Sequence, residues 1–319
     1  MLNLPKLTDL DISNKKVILR LDLDLKEFDP NDLRIKASIK TLDFLKEKNC
    51  QITIIAHRGR PDGKFDQSLS FKEFRSYFNK WNAKVEENLR FERGEEENNI
   101  EFAKKLATLG EVFVNEAFAS SHRNHASIVS LPKLLPHAFG FRFIEEVENL
   151  TKVFDNPKRP VVTLLSGLKE DKLKYLDGLE AISDKVLVGG RLPDLLGDNT
   201  LSVRNQEGKV IIGNLVMDKE DITVNTIERF EKEIIGAGTI LLSGPLGKFE
   251  EEGHRQGTER IFKAISALPS FKVAGGGETE KAINLLKISD KFNWISVGGG
   301  AFLEFLVNKT LPGIKAFDN

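Results

Sequence analysis

Cysteine occurs once in the 319 residues, as Cys50. A lone thiol cannot close an internal disulfide, and no Cys/His cluster has the spacing of a structural zinc site. Neither charge is in excess: 47 Lys and Arg against 48 Asp and Glu leave a formal charge of −1. That balance argues against a surface built throughout for nucleic acid or anionic lipid. The interleaving of aromatic and basic residues used by single-strand binders is also missing. No apolar run approaches the roughly 20 residues of a membrane span. The opening MLNLPKLTDLDISNKK puts proline and acids where a secretion signal needs an apolar stretch. There is no G-x-x-x-x-G-K-[ST], and no G-x-G-x-x-G follows a strand, so two common nucleotide motifs are excluded. What is present is 40% hydrophobic and 30% charged residues, enough for packed cores and a length that suits two domains. A cytoplasmic protein is expected.

Lys16 to Leu25 alternates Leu19, Leu21, Leu23 and Leu25 with Arg20, Asp22 and Asp24. Period two predicts a strand, with two carboxylates on a polar, solvated face. A helix is expected from Arg34 to Lys48, with Ile35, Ile39, Leu42 and Leu45 at helical spacing. Two further apolar runs follow. Ile52–Ala56 leads into His57-Arg58-Gly59-Arg60, and Val112–Val114 leads towards His122-Arg123-Asn124-His125. The first half therefore places arginine and histidine just after its strands, where an open α/β sheet carries ligand groups. His122 and His125 could pair on a metal, but no third ligand lies nearby.

The second half ends its apolar runs in glycine. Val161–Leu165 meets Ser166-Gly167, Lys185–Val188 meets Gly189-Gly190, and Thr239–Leu242 meets Ser243-Gly244. Phe271–Ala274 meets Gly275-Gly276-Gly277, and Trp294–Val297 meets Gly298-Gly299-Gly300. Helices are expected over Asp171–Ile182, Ile222–Ile235, Gln256–Leu268 and Thr279–Leu286. Strand, glycine turn, helix, repeated, predicts a doubly wound parallel sheet. Any one of these glycines reads as well as a tight turn; five turns together read as places where backbone N–H groups approach phosphate. Between the halves, Phe139–Phe154 is expected to be a long connecting helix. The fold class is thus α/β, two doubly wound parallel-sheet domains joined by that helix. The boundaries are 1–136, 137–159 for the connector, 160–304, and 305–319. One half offers guanidinium groups for a small anion, the other a cradle for a phosphate chain, a pairing suited to phosphoryl transfer.

Motifs in order along nearly the whole chain resemble the phosphoglycerate kinase family. They are VILRLDLDLK, IIAHRGRPDGK, ENLRFERGEE, FVNEAFASSHRNHASIVSLP, NPKRPVVTLLSGLKEDK, LLSGPLGKFE, KVAGGGETEKA and ISVGGGAFLEFL. The resemblance implies a bilobal hinge kinase. It would transfer a phosphoryl group between ATP and the carboxylate of 3-phosphoglycerate, with Mg²⁺ accompanying the nucleotide. Its partners would be these small molecules, not nucleic acid or membrane, and the protein would be a monomer. By position, Asp22, Asp24, Arg34, His57, Arg60, Arg90 and Arg123 would bind the acid substrate. Gly167, Lys169, Lys172, Gly189, Ser243, Glu250, Gly276, Gly277, Glu278 and Thr279 would bind nucleotide, with Glu278 on the metal. Arg34, Lys169, Gly277 and Gly300 would serve the transfer itself. Taken alone, Arg90 reads equally as a surface ion pair and Lys169 as a solvated lysine. The segment 305–319 would return to the first domain, and the lobes would close about the connector.

Several positions depart from the family pattern. Asp24 stands for Asn, and a like-charge contact of that kind costs on the order of 3 kcal/mol at roughly 6 Å; Arg58 is expected to neutralise it. Glu278 stands for Asp, Leu168 for a small residue, Ser243 for Asn, Arg191 for Gly and Phe302 for Ser. Phe302 sits just beyond a phosphate-binding turn, and its bulk is expected to crowd either lobe. The Lys169–Lys172 segment is one residue short, so Lys172 is expected to miss its phosphate. Shortening between Asp66 and Asn88, and between Arg191 and Asp218, is expected to thin the sheets. Glu278 and the short lysine turn favour a competing reading, a weak or inactive paralogue that binds nucleotide or a phosphorylated acid and acts through a partner.

Overall fold

The computed structural model describes residues 3–196 and 208–317. The chain divides into two units: Met1–Glu148 with Thr310–Asn319, and Asn149–Lys309. The first unit is a parallel five-stranded sheet in the order β3-β2-β1-β4-β5. Its strands are β1 Lys16–Arg20, β2 Gln51–Ile55, β3 Lys84–Val85, β4 Val112–Asn115 and β5 His137–Phe139. The chain winds outward from β1 through β2 to β3, then returns to the other side of β1 for β4 and β5. Winding therefore reverses between β1 and β4, and ligands of open parallel sheets bind beyond the carboxyl ends of such strands.

β1 departs from the sequence reading in two ways. It stops at Arg20, and Val17 to Arg20 are all buried, because helices and neighbouring segments cover both faces of a parallel sheet. The face carrying Arg20 and Asp22 is therefore interior: Arg20 is fully buried and Asp22 nearly so. The helix after β1 spans Leu33–Glu47, started by Asp32, whose carboxylate accepts from the Arg34 N–H at 2.8 Å. Between Asp66 and Asn88 the shortened segment still supplies a helical turn, Arg75–Phe78, and the two-residue β3. Phe71, Phe74, Phe78 and Trp81 fill the core there.

The connecting helix is shorter than expected, Phe141–Thr151. Phe139 belongs instead to β5, opposite Asn115 of β4. At the other end Phe154 lies beyond the helix, its ring 5.9 Å from that of Phe305 within the second unit. Phe305 itself sits in an unbroken helix, Gly300–Asn308, closed by Lys309 in a left-handed conformation at φ 58°. The segment grouped with the first unit begins after that, at Thr310.

The second unit is a parallel six-stranded sheet, β11-β10-β9-β6-β7-β8. It comprises β6 Val161–Leu165, β7 Lys185–Val188, β8 Val210–Ile212, β9 Thr239–Ser243, β10 Phe271–Gly275 and β11 Trp294–Ser296. Winding reverses between β6 and β9. The intervening helices are Leu176–Ile182, Val224–Ile234, Gln256–Ala267 and Gly277–Leu285. β8 was not legible in the sequence pattern, and part of the Arg191–Asp218 stretch, residues 197–207, lies outside the described residues. The first expected helix opens as a 3-10 segment, Glu170–Tyr175. Phe302 is fully buried, and its ring fills the space beside Gly275, where an added Cβ would lie 2.4 Å from it.

Candidate active site

In the first unit the chemistry gathers beyond β1, β2 and β4. The buried guanidinium of Arg20 donates through Nε to Ser127 Oγ (3.0 Å) and through its NH1 nitrogen to the Leu21 carbonyl (2.5 Å), with its NH2 nitrogen 2.8 Å from His57 Nδ1. Asp22 accepts from the Ala119 N–H (2.7 Å) and the Ser120 hydroxyl (2.5 Å), which ties the β1 end to the β4 loop. Burial raises its pKa despite those donors. Asp24, exposed, accepts from the Gly59 N–H at 2.8 Å, and one oxygen lies 3.9 Å from His57 Nε2. Arg34 donates to the Asp24 carbonyl. Arg60 is exposed and Arg123 half-buried at the edge of the group.

Arg90 is 1% exposed, donates to the Gly59 carbonyl at 2.6 Å, and lies 3.2 Å from Glu96. Its second terminal nitrogen is buried without a hydrogen-bond partner among the described residues. Burial, reinforced by Arg123, brings its pKa down to about 10. Burial and the surrounding arginines push His57 well below its ordinary value and His125 down to about 3. Both imidazoles are therefore neutral at physiological pH, while three guanidinium groups crowd one locus. An orphaned buried N–H costs free energy until something accepts from it, and a planar guanidinium matches an oxyanion. Arg20, Glu95, Ser120, His125 and Ser127 belong to this locus too. Among them only Arg20 and His125 carried a sequence signal, as chemistry-bearing residues just after or within the motif strands.

Arg58 does not neutralise Asp24. Its guanidinium donates to the carbonyls of Leu25 (2.6 Å), Ser68 (2.9 Å), Ser70 (3.3 Å) and Lys26. It also stacks over Phe74 with its carbon 5.4 Å from the ring centre. A five-donor fork serves better to staple loop carbonyls than to pair one exposed acid.

In the second unit the reversal between β6 and β9 is occupied by Lys172. Spacing expects this lysine to fall short; instead Nζ donates to the Ser166 carbonyl (2.6 Å) and lies 3.3 and 3.4 Å from the Ser243 carbonyl and hydroxyl. Burial lowers its pKa to about 8. Lys169 is exposed, just ahead of the 3-10 segment. The glycines divide into two kinds. Gly244, at φ 104°, passes so close to Ser166 that a Cβ would lie 1.9 Å from the Ser166 carbonyl oxygen, and Gly190 crowds Gly167 N at 2.5 Å. These are packing glycines. A Cβ added at Gly277, the first residue of its helix, would meet nothing within 4 Å among the described residues beyond its chain neighbours and its own helix backbone. Thr279 locks that turn to its neighbour, accepting from Gly244 N–H (2.8 Å) and donating to the Gly275 carbonyl (2.9 Å). One pocket of this unit is lined by Gly167, Leu168, Leu246, Phe249, Glu250 and Glu278 among others. Gly189 packs beside Leu246, and Gly300 opens the helix after β11.

The family model for phosphoglycerate kinase matches residues 7–86, 83–197 and 197–309. The chain belongs to the phosphoglycerate kinase family. The phosphoglycerate kinase of Buchnera aphidicola from Schizaphis graminum is 34% identical over 383 aligned positions, covering 99% of either chain. That of Coprothermobacter proteolyticus is 31% identical and covers 98% of each. Among solved structures, phosphoglycerate kinase from Coxiella burnetii superposes with a TM-score of 0.83 at 29% identity, covering 98% of both chains. The one from Pyrococcus horikoshii gives 0.80 at 26%. The matched ranges contain both loci: HRGRP and SSHRNH carry His57, Arg58, Arg60, His122, Arg123 and His125 of the first unit, and GGGETE carries the open glycine turn of the second. Among the described residues no helix is long and apolar enough to cross a membrane.

Proposed function

We propose that this member of the family is an active phosphoglycerate kinase, working as a cytoplasmic monomer on ATP and 3-phosphoglycerate. The observation that carries the reading is that both sheet reversals bear anion-binding chemistry, with Arg90 holding a buried N–H that no described residue accepts. Arg90, Arg123, Arg60 and His57 hold the phosphate of the acid substrate; Asp22 and Asp24 receive its hydroxyl, and Arg34 orients its carboxylate. Gly276, Gly277 and Thr279 present backbone N–H groups at a helix start to the nucleotide phosphates. Lys172, beside Gly167 and Ser243, neutralises them, Lys169 follows the transferring group, and Glu250 takes the ribose at the pocket with Gly189 behind it. Gly300 places the last helix start on the same group.

The donor set fits Mg²⁺. Glu278 is an exposed oxygen ligand in the first turn of the Gly277–Leu285 helix. Mg²⁺ typically takes one or two carboxylates and completes its shell from phosphates and water. When bound, the ion neutralises phosphate charge as transfer proceeds. A carboxylate oxygen of the acid attacks the terminal phosphorus, the bond to the bridging oxygen breaks, and ADP leaves. No base is required, because the attacking carboxylate has no proton to lose. The protein's task is positioning and charge neutralisation. A coupled assay with 3-phosphoglycerate, ATP and Mg²⁺ tests this. Turnover in the wild type, reduced at least about a hundredfold in Lys169→Ala, is expected; ATP binding without ADP formation would establish the inactive paralogue instead.

A further inference from the structure

His57 lies at the end of a chain of buried hydrogen bonds whose donors and acceptors can be assigned without ambiguity. The chain begins at Glu95, a fully buried carboxylate on the short Arg93–Glu96 helix. One oxygen accepts from the Ser127 N–H at 2.9 Å, and the other accepts from the Ser127 hydroxyl at 2.6 Å. That uses the only hydrogen on Ser127 Oγ, so towards Arg20 Nε, 3.0 Å away, the hydroxyl can only accept. Arg20 in turn has donors alone, so at 2.8 Å His57 Nδ1 must be the acceptor. A neutral imidazole with a bare Nδ1 carries its hydrogen on Nε2. That nitrogen lies 3.9 Å from Asp24, beyond hydrogen-bond reach, so its N–H stays available to an incoming oxygen.

We propose that Glu95, Ser127 and Arg20 are positioning residues that hold His57 as the Nε2–H tautomer and present that N–H to an oxygen of the acid substrate. The inference rests on the phosphoglycerate reading of the first-unit site and adds to it the hydrogen-bonding state of one ligand group. The surroundings support it. His57 is faced by Arg20 from β1, Asp24 from the segment after it, Arg90 from the loop after β3, and Arg123 and His125 from the loop after β4. Burial and these cations keep the ring neutral, and a neutral ring without Arg20 would exchange between tautomers. Glu95 contributes by offsetting the buried guanidinium's charge and by fixing which way the Ser127 hydroxyl points.

The test uses the full chain labelled with ¹⁵N-histidine and long-range proton–nitrogen correlation, with His57→Gln serving only to assign the signal. The expected wild-type spectrum shows a bare Nδ1 and a protonated Nε2 for His57, unchanged from pH 5 to 8. Ser127→Ala leaves Arg20 free to turn to Glu95. His57 is then expected to show mixed tautomers, and KM for 3-phosphoglycerate to rise about tenfold with kcat within about twofold; Ser127→Thr restores both. A wild-type His57 protonated on Nδ1, or a folded Ser127→Ala variant with unchanged tautomer and KM, overturns the proposal. If Ser127→Ala does not fold, the wild-type spectrum alone decides. The Nε2–H tautomer, lost in Ser127→Ala, in a protein that does not turn over 3-phosphoglycerate would leave the relay standing and refute the kinase reading.

Discussion

Replacing Lys172 with methionine keeps the length of the side chain and removes its charge. In the native protein burial lowers the lysine's pKa from the ordinary 10.5 to about 8, with Lys169 adding to the fall and Asp171 and Glu278 opposing it. Between those two values the unfolded chain holds the proton and the native chain has released it, so stability rises with pH across the window. A difference of that size amounts to about 3 kcal/mol. Methionine has nothing to titrate and leaves the Ser166 carbonyl without its donor, an offset that does not change with pH. Urea denaturation of ligand-free wild type and Lys172→Met from pH 7 to 10.5 is therefore expected to give curves that diverge by about 3 kcal/mol in favour of the wild type. Saturating ATP, by placing phosphate beside Nζ, is expected to keep the lysine charged and flatten the divergence. Parallel curves without ligand would refute the claim that Nζ is lodged between the two turns.

Three further outcomes follow from the same geometry. Gly244→Ala, which drives a Cβ into the Ser166 carbonyl at positive φ, is expected to lose at least about 3 kcal/mol in thermal denaturation. Gly277→Ala, in open space, should stay within about 0.5 kcal/mol yet weaken ATP about tenfold by calorimetry; equal stability losses would contradict the division of the glycines. Arg58→Leu orphans four carbonyls and is expected to cost about 3 kcal/mol, while Asp24→Asn changes 3-phosphoglycerate affinity by the same factor in either background. A coupling above about 0.5 kcal/mol in that cycle would revive the Arg58–Asp24 pairing. Glu116 accepts from the Arg142 and Phe143 N–H groups at 3.2 and 3.1 Å, yet burial pushes it up to about 7. The native state binds the extra proton below that value, so wild-type stability relative to Glu116→Gln should fall by up to about 3 kcal/mol as pH rises from 4.5 to above 7. A constant difference would count against it.

Much of the architecture could be read directly. Both parallel sheets follow from apolar runs that end in ligand-type residues, and four of the later helices fall within two residues of their expected ends, apart from the 3-10 opening at Glu170. What could not be read is which face a short strand buries. Arg20 alternates with leucines as a solvated residue would, and only the segments carrying His57 and Ser127, packed against its guanidinium, make that position interior. Charge balance alone pairs Arg58 with Asp24; the carbonyls it meets instead are those of Leu25 and Lys26, just after Asp24, and of Ser68 and Ser70. Phe302 looked obstructive because the missing side chain of Gly275, its actual neighbour, lies 27 positions away. The position of Lys172 could not be read from residue count alone, since a 3-10 rise covers more length per residue than an α-helix. Glu95 gave no signal because it stands in a run of glutamates, GEEEN, where one buried member cannot be told from its exposed neighbours.

The stretch from Thr310 joins the first unit although 161 residues of the second unit, Asn149–Lys309, precede it. Phe317 stacks on Phe139 at 3.9 Å, and Gly313 N–H bonds the Ser121 carbonyl at 2.9 Å, beside the loop that grips Asp22. During synthesis the second unit is continuous and can fold as it emerges, while the first waits for its closing piece. The first-unit site, encoded earliest, is then completed only after the second unit has been made.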